Sequence, residues 1–223
     1  MLFPARRRVI PAMLAMSGLV ALAACLDVTN PPEADTQVRV INASGGPVNI
    51  FVDGTETIDQ ASPGDVSLLG LTPGTHAMQF VATSGATSSF TVTTASGDVR
   101  ESYVIAPTAT TLSSALLDTG GVVPAGKSKV RVLHLSQLAP TIDVWRTQPD
   151  FTTPTKIQTP FPYLSVTPFI QSDAGFWEVF ITPVGATTPR LLTTGQFAVE
   201  ATGKRTIVLM DSSGVQVFRI LPE

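Results

Sequence analysis

Apolar and polar residues alternate along much of the chain from residue 37 onwards. Val38 and Val40 alternate with Arg39, which is the period of a strand that buries one face. Turn-forming pairs such as Asp53-Gly54 and Ser96-Gly97 interrupt the alternation, and no long stretch after Cys25 carries the apolar stripe of an amphipathic helix. The pattern therefore predicts an all-β protein built from short strands.

The predicted strands fall into two similar groups. They include residues 75–83, 88–94, 101–106 and 111–117 in the first half, and residues 175–182, 191–199, 205–210 and 215–221 in the second. Short strands separated by turns are typical of β-sandwiches with roughly seven strands each. The predicted fold class is two tandem Ig-like or transthyretin-like antiparallel β-sandwiches, although the Cys…Trp…Cys pattern of immunoglobulin domains is absent.

Several sequence segments recur in the same order along the chain. Residues 38–44 (VRVINAS) return as residues 130–136 (VRVLHLS), and residues 47–52 (PVNIFV) return as residues 140–146 (PTIDVWR). Two shorter matches follow further on, still in order. Because unrelated strands rarely match repeatedly in one order, the sequence predicts a tandem duplication.

The N-terminus has the pattern of a secretory signal peptide. Arg6-Arg7-Arg8 precede an apolar run over residues 9–24, which contains Pro11 and is shorter than the roughly 20 residues that span a bilayer. The cleavage region Leu22-Ala23-Ala24-Cys25 resembles a bacterial lipobox, which predicts that Cys25 is lipidated and becomes the new N-terminus. The alternative is an ordinary signal peptide in which Cys25 stands by chance.

The predicted signal peptide and lipobox indicate where the protein is located and where its folded part begins. A lipid on Cys25 would hold the chain in the bacterial cell envelope, and Leu26 in place of Asp favours the outer membrane, facing the periplasm or the surface. The predicted segments are a signal peptide over residues 1–24, a lipidated tether over 25–36, a first β-sandwich over 37–119, a linker over 120–126 and a second β-sandwich over 127–223.

Composition narrows the function classes. The chain has 223 residues, of which 43% are hydrophobic and 14% charged, so it must bury apolar surface rather than remain disordered. Its one Cys excludes a disulfide framework and a multi-cysteine metal site. Residues 1–24 carry three Arg and no acid, so their removal lowers the formal net charge from −3 to −6. Such a chain lacks the basic stripe that nucleic acid requires.

A family resemblance is centred on the second copy. Residues 130–136, then Ala139-Pro140 and residues 142–145 (IDVW), resemble the opening of the bacterial family called Domain of Unknown Function 4397. Its members open with a Val-Arg-Val strand, a His-x-Ser step, an Ala-Pro and a Val-Asp-Val-aromatic strand. In the first copy, Asn42 and Asn49 replace the His and the Asp. The resemblance spans most of residues 37–223 and implies exported, often lipid-anchored modules without an assigned chemistry.

Two groups of polar residues have the composition of a chemical site. His134, Ser136 and Asp143 are the residue types of a nucleophilic triad, although the Gly-x-Ser-x-Gly turn that exposes such a serine is absent. A strand-end histidine and a turn-capping serine are the structural alternative. Asp53, Glu56 and Asp59 surround a turn but do not follow the spacing of a calcium loop. The prediction is no catalytic residue, no metal site and no cofactor.

Aromatic residues are unevenly distributed between the copies. Residues 130–223 contain ten aromatic side chains, against four in residues 38–129. Several lie in or near the segment between Arg146 and Leu164, which is predicted to be a loop stiffened by prolines, and exposed rings in such loops bind sugars, peptides or partner proteins. The residues predicted to bind a ligand are Phe151, Phe161, Tyr163 and Trp177. The alternative is that these rings pack within their own sandwich.

These observations predict a lipid-anchored envelope protein that acts as a non-enzymatic binding, adhesion or scaffolding module. Its partners would be the membrane, through the lipid, and a protein or carbohydrate ligand, but not nucleic acid. The alternative is a hydrolase acting on envelope or environmental polymers through His134, Ser136 and Asp143.

Overall fold

A computed structural model describes residues 36–108, 110–147, 153–212 and 214–222. The first half contains β1 (Thr36–Ala43), β2 (Val48–Val52), β3 (Thr55–Ala61), β4 (Val66–Leu71), β5 (Gly74–Ala82), β6 (Thr87–Thr94), β7 (Val99–Thr108) and β8 (Thr111–Leu116). The second half contains β9 (Lys127–Leu135), β10 (Thr141–Thr147), β11 (Pro154–Pro162), β12 (Ser165–Val166), β13 (Ile170–Asp173), β14 (Gly175–Thr182), β15 (Leu192–Val199), β16 (Lys204–Ser212) and β17 (Val215–Pro222).

Each half consists of two sheets packed face to face. The first half has the strand orders β4-β1-β7-β8 and β3-β2-β5-β6, and the second has β12-β9-β16-β17, with β13 also paired to β9, and β11-β10-β14-β15. Pairings are antiparallel except for β1 with β7 and β9 with β16. Within the described ranges there is no helix, and hence none long and apolar enough to cross a membrane. The predicted all-β sandwich fold is confirmed.

The alternation of the sequence explains which residues form the two sandwich cores. Val38 and Val40 lie in the core of the first half, and Val130 and Val132 lie in that of the second, each at most 1% exposed. Side chains of successive strand residues point to opposite faces, so these positions share one face. Both valine pairs therefore face inward.

A third apolar cluster joins the two halves. Ile41 and Ile105, from the outer face of the sheet that contains β1, pack with Leu133, Val208 and Met210 from the sheet that contains β9. The four sheets are thus layered, with one apolar core inside each half and another between them. The described residues belong to one compact unit, while the segment boundaries predicted from the sequence remain predictions.

A buried charge network lies in the same middle layer. Glu101 of β7 accepts hydrogen bonds from Arg39 at 2.6 Å and from Arg131 of β9 at 2.5 Å, and the Thr206 hydroxyl donates to it at 2.7 Å. Arg131 also donates to Thr206 and to the Asp118 carbonyl oxygen. Glu101 and Arg131 are each 3% exposed. Because the acceptor and its partners come from both halves, the network fixes how the two inner sheets align.

The segment after Arg146 differs from the predicted loop. Most of its described part is the strand β11, which pairs with β10 from Thr147↔Pro154 to Thr141↔Pro162. Proline lacks an N–H and is tolerated in edge strands, where one side of the backbone needs no partner. β11 is the edge strand of its sheet, so the prolines that suggested a loop are compatible with a strand there.

Candidate functional site

The predicted ligand-binding rings are mostly inside the protein. Phe161 is 1% exposed and Trp177 is 3% exposed, and both belong to the core of the second half. Tyr163 is half-buried against the cluster between the halves, and its phenolic oxygen accepts a hydrogen bond from Gln137 at 3.1 Å. Phe151 lies outside the described residues. The expectation of exposed rings is therefore wrong for Phe161 and Trp177, because both fill core positions.

The structure does not bring the three triad residues together. Ser136 Oγ donates to Asp211 Oδ1 at 2.5 Å and not to His134. The Ser136 N–H donates to His134 Nδ1 at 3.3 Å, so the other ring nitrogen, Nε2, carries the proton and donates to the Ala139 carbonyl oxygen at 2.8 Å. Burial lowers the pKa of His134. This histidine is thus a neutral packing residue at the end of its strand.

Asp143 has a structural role of its own. Its Oδ2 accepts hydrogen bonds from Lys156 Nζ at 2.9 Å and from the Gly185 N–H at 3.0 Å. Burial acts to raise the pKa of Asp143, but hydrogen bonds from Thr159, Lys156 and Gly185 outweigh it, so the pKa is lowered. Asp143 therefore holds the turn after β14 and faces neither His134 nor Ser136.

The acidic turn of the first half is likewise satisfied within the protein. Asp53 accepts hydrogen bonds from His76 Nδ1 at 2.7 Å and from the Ala77 N–H at 2.8 Å. The hydrogen bond to Asp53, followed by that to the Thr72 carbonyl oxygen, raises the pKa of His76. Among the residues that the structure describes, no three His, Cys, Asp or Glu side chains are grouped as a metal site would require.

A cleft of about 330 Å³ opens at one end of the second sandwich, between its two sheets. One wall comes from the start of β9 and from β13, and the other comes from the end of β10 and the start of β14. Its lining includes Lys127, Arg146, Gln171, Asp173, Phe176 and Trp177. Cationic, aromatic and uncharged polar groups therefore meet in one concave surface.

Arg146 lies at the inner side of this cleft. It follows Ile142 and Val144 on the inward face of β10, at the point where the core ends. Its guanidinium carbon lies 4.9 Å from the centre of the Trp177 ring, and its Nη1 is buried without a hydrogen-bond partner. Burial lowers the pKa of Arg146, yet a guanidinium remains protonated at neutral pH. The cleft thus holds a buried guanidinium N–H group that has no acceptor among the described residues.

Besides Arg146, the cleft is lined by an exposed aromatic ring and by polar side chains. Phe176 is 56% exposed, whereas its neighbour Trp177 points into the core. Lys127 Nζ is paired with Asp173 Oδ1 at 2.5 Å at the rim, where both side chains are largely accessible. Gln171 and Ser172 of β13 add an amide and a hydroxyl to the same lining. The arrangement can hold an anionic group at Arg146 and a flat group against Phe176.

Sequence reasoning placed Trp177 near a site but missed Arg146 and Phe176. Arg146 shares its strand face with Ile142 and Val144, so the alternation itself marks it as an inward-facing cation. Trp177 and Val179 lie on the buried face of β14. Phe176, one residue before Trp177, therefore lies on the opposite face, where it is exposed. Both residues were detectable from strand parity once the strands were located.

Comparison with solved structures gives only remote likenesses. The tip fimbrial protein Mfa3 from Porphyromonas gingivalis is 9% identical, with a TM-score of 0.27 and coverage of 86% of this chain and 99% of that one. A leucine-rich repeat protein from Bacteroides thetaiotaomicron is 14% identical, with a TM-score of 0.20 and coverage of 80% and 26%. A proposed cell adhesion protein from Bacteroides fragilis is 10% identical, with a TM-score of 0.22 and coverage of 81% and 84%. TM-scores this low lie below those of proteins that share an overall fold.

Comparison of the sequence with curated proteins and with family profiles gives a match to a family. No curated protein matches the chain. A family profile does match, over the whole first sandwich, the strand β9 and the first five residues of β10. Residues 36–145 are therefore similar to the family described as Domain of unknown function (DUF4397).

Proposed function

We propose that this protein is a lipid-anchored binding module of a bacterial cell envelope, without enzymatic activity, and that it binds its ligand in the cleft at Arg146. The observation that carries the proposal is the buried Nη1 of Arg146, which has no partner among the described residues, in a cleft that is also lined by the exposed Phe176. An unsatisfied buried donor costs stability, and functional sites are where such costs are retained. The side chains of the three triad residues hydrogen-bond to Asp211, Ala139 and Lys156 and not to one another.

Two further features complete the proposal. A lipid on Cys25 anchors the chain to the outer membrane, and residues 25–36 act as its tether. The two sandwiches are tandem copies of one domain. The shared strand order supports this, since the β4-β1-β7-β8 sheet and the β12-β9-β16-β17 sheet each place a parallel pair at their centre.

The anchor is tested by the variant Cys25→Ala. We expect it to abolish fatty-acid labelling of the chain and to leave the precursor uncleaved or released into the soluble fraction, because the thiol is the group that is acylated. The measurement is metabolic labelling with a fatty acid, followed by membrane fractionation. Labelling that persists in the variant would show that Cys25 is not the lipidated residue.

The binding site is tested by capture of partners from solubilised envelope membranes. The wild-type chain should retain envelope material that Arg146→Gln loses, because the amide keeps the side chain's polar end but removes its charge. Arg219→Gln is the matched control, since Arg219 is an exposed arginine outside the cleft. Equal capture by all three proteins would place binding elsewhere.

A further inference from the structure

We propose that the cleft at Arg146 recognises a carboxylate-bearing sugar, such as a uronate unit of an acidic polysaccharide. This rests on the proposed binding function and names its ligand class. The carboxylate would pair with the Arg146 guanidinium inside the cleft, and the sugar ring would lie at the mouth of the cleft, against Phe176 at the start of β14.

The guanidinium selects the charge and the geometry of the ligand. Arginine presents its N–H donors as a planar fork that fits the two oxygens of a carboxylate. The guanidinium carbon lies over the Trp177 ring, 4.9 Å from its centre, in a cation–π contact. Asp173, the acidic side chain among the lining residues that the structure describes, is paired with Lys127 at 2.5 Å. No described residue therefore supplies the carboxylate that Arg146 is arranged to accept.

The size of the cleft limits the group that enters it. A volume of about 330 Å³ is at the lower end of small-molecule sites, which span roughly 300–1,000 Å³. A folded protein partner would need a contact surface of about 800 Å² on each side. The cleft is thus matched to a group of the size of a sugar ring, with the rest of a polymer continuing past its mouth.

The polar lining favours a sugar over the end of a peptide. Peptide carboxylates are held by backbone N–H groups, and specificity comes from pockets for side chains, but here the Trp177 face is already covered by Arg146. Gln171 and Ser172 instead offer an amide and a hydroxyl that accept and donate hydrogen bonds with sugar hydroxyls. Phe176, 56% exposed, offers an apolar ring face to the C–H face of a pyranose.

The test measures binding of defined trisaccharides to the full-length chain in detergent by isothermal titration calorimetry. The probes are trigalacturonate, triglucuronate and trimannuronate, each compared with its methyl ester, which keeps the rings and hydroxyls but removes the charge. We expect at least one acid to bind about tenfold or more tightly than its ester, the scale of a charge-assisted hydrogen-bonded pair. Equal binding of every acid and its ester would overturn the proposal.

The variants assign the binding to the cleft. Arg146→Gln and Phe176→Ala should each weaken binding of the acidic trisaccharide by about tenfold or more. The control variants Arg219→Gln and Val215→Ala should leave its binding unchanged. Val215 is 59% exposed and matches Phe176 as a surface residue. Because Phe176 is exposed, its variant remains informative if Arg146→Gln disturbs folding. Loss in the control variants to the same extent would overturn the proposal.

Failure of this inference can be distinguished from failure of the proposed function. If no uronate binds but membrane capture still depends on Arg146, the cleft is a binding site for a different ligand and only the sugar assignment is wrong. Binding of a peptide through its C-terminal carboxylate, with no saccharide bound, would give that result. If capture is also independent of Arg146, the proposed binding function at this cleft is wrong.

Discussion

Replacing Glu101 by Gln should lower the free energy of unfolding by about 3–5 kcal/mol, the usual cost of removing one partner from a buried ion pair. Glu101 and Arg131 are each 3% exposed. Water therefore cannot solvate the charge of Arg131 once the carboxylate is removed. Arg131 would keep its neutral acceptors at Thr206 and Asp118 but would lose the negative charge of Glu101, to which it donates a hydrogen bond. Urea denaturation followed by circular dichroism measures the change.

Two controls separate this effect from a general loss of surface charge. Asp173→Asn removes one partner of an exposed pair, whose side chains are 42% and 83% accessible, and should cost less than about 1 kcal/mol. The double variant Glu101→Leu with Arg131→Leu removes both buried charges and should be more stable than Glu101→Gln alone. A Glu101→Gln variant no less stable than Asp173→Asn would show that the network does not hold the middle layer.

Strand alternation was sufficient to predict most of the fold. The predicted strand over residues 175–182 coincides with β14, and those near the C-terminus differ from β16 and β17 by one or two residues at an end. These strands each bury one face or both in an apolar cluster. A strand that buries one face has apolar residues at every second position, and a strand that buries both faces has a continuous apolar run such as residues 207–210 of β16. Both patterns can be recognised in the sequence.

The strands that the sequence did not reveal lie at sheet edges. β3 has the burial pattern of a nearly exposed strand, and only its last residue, Ala61, is buried. β11 begins and ends with proline and buries only Phe161. Because an edge strand packs little of its surface, its sequence is free to be polar or proline-rich. Such strands are defined by hydrogen bonds to a neighbour, which no local pattern records.

The residues of the candidate site also could not be identified from local sequence patterns alone. Aromatic enrichment pointed to the second sandwich, which contains the candidate cleft, but enrichment does not distinguish a core ring from an exposed one. Exposure depends on strand parity and on where the core ends, and this is why Phe176 is accessible while Trp177 is not. The convergence of Arg146 with β13 depends on pairing between distant strands, which the sequence does not show.

Replacing Phe161 by Ala should lower the free energy of unfolding by about 3–5 kcal/mol, as for other large-to-small changes at buried aromatic positions. Phe161 is 1% exposed, and it packs in the core of the second half with Val132 and Ile142, with its ring centre 5.6 Å from that of His134. The variant would leave a cavity beneath β11, an edge strand that has few other buried side chains with which to close it. Thermal and urea denaturation measure the loss.

Phe176→Ala is the matched control for this prediction, because it removes the same side chain from a surface position of the same sandwich. Surface substitutions usually change stability by no more than about 0.5 kcal/mol, so Phe176→Ala should keep the wild-type unfolding midpoint while it weakens capture of the ligand. The two phenylalanines are thus expected to separate stability from binding. The reverse result, with Phe161→Ala stable but deficient in capture, would mean that Phe161 is an exposed binding residue and that β11 does not cover the core.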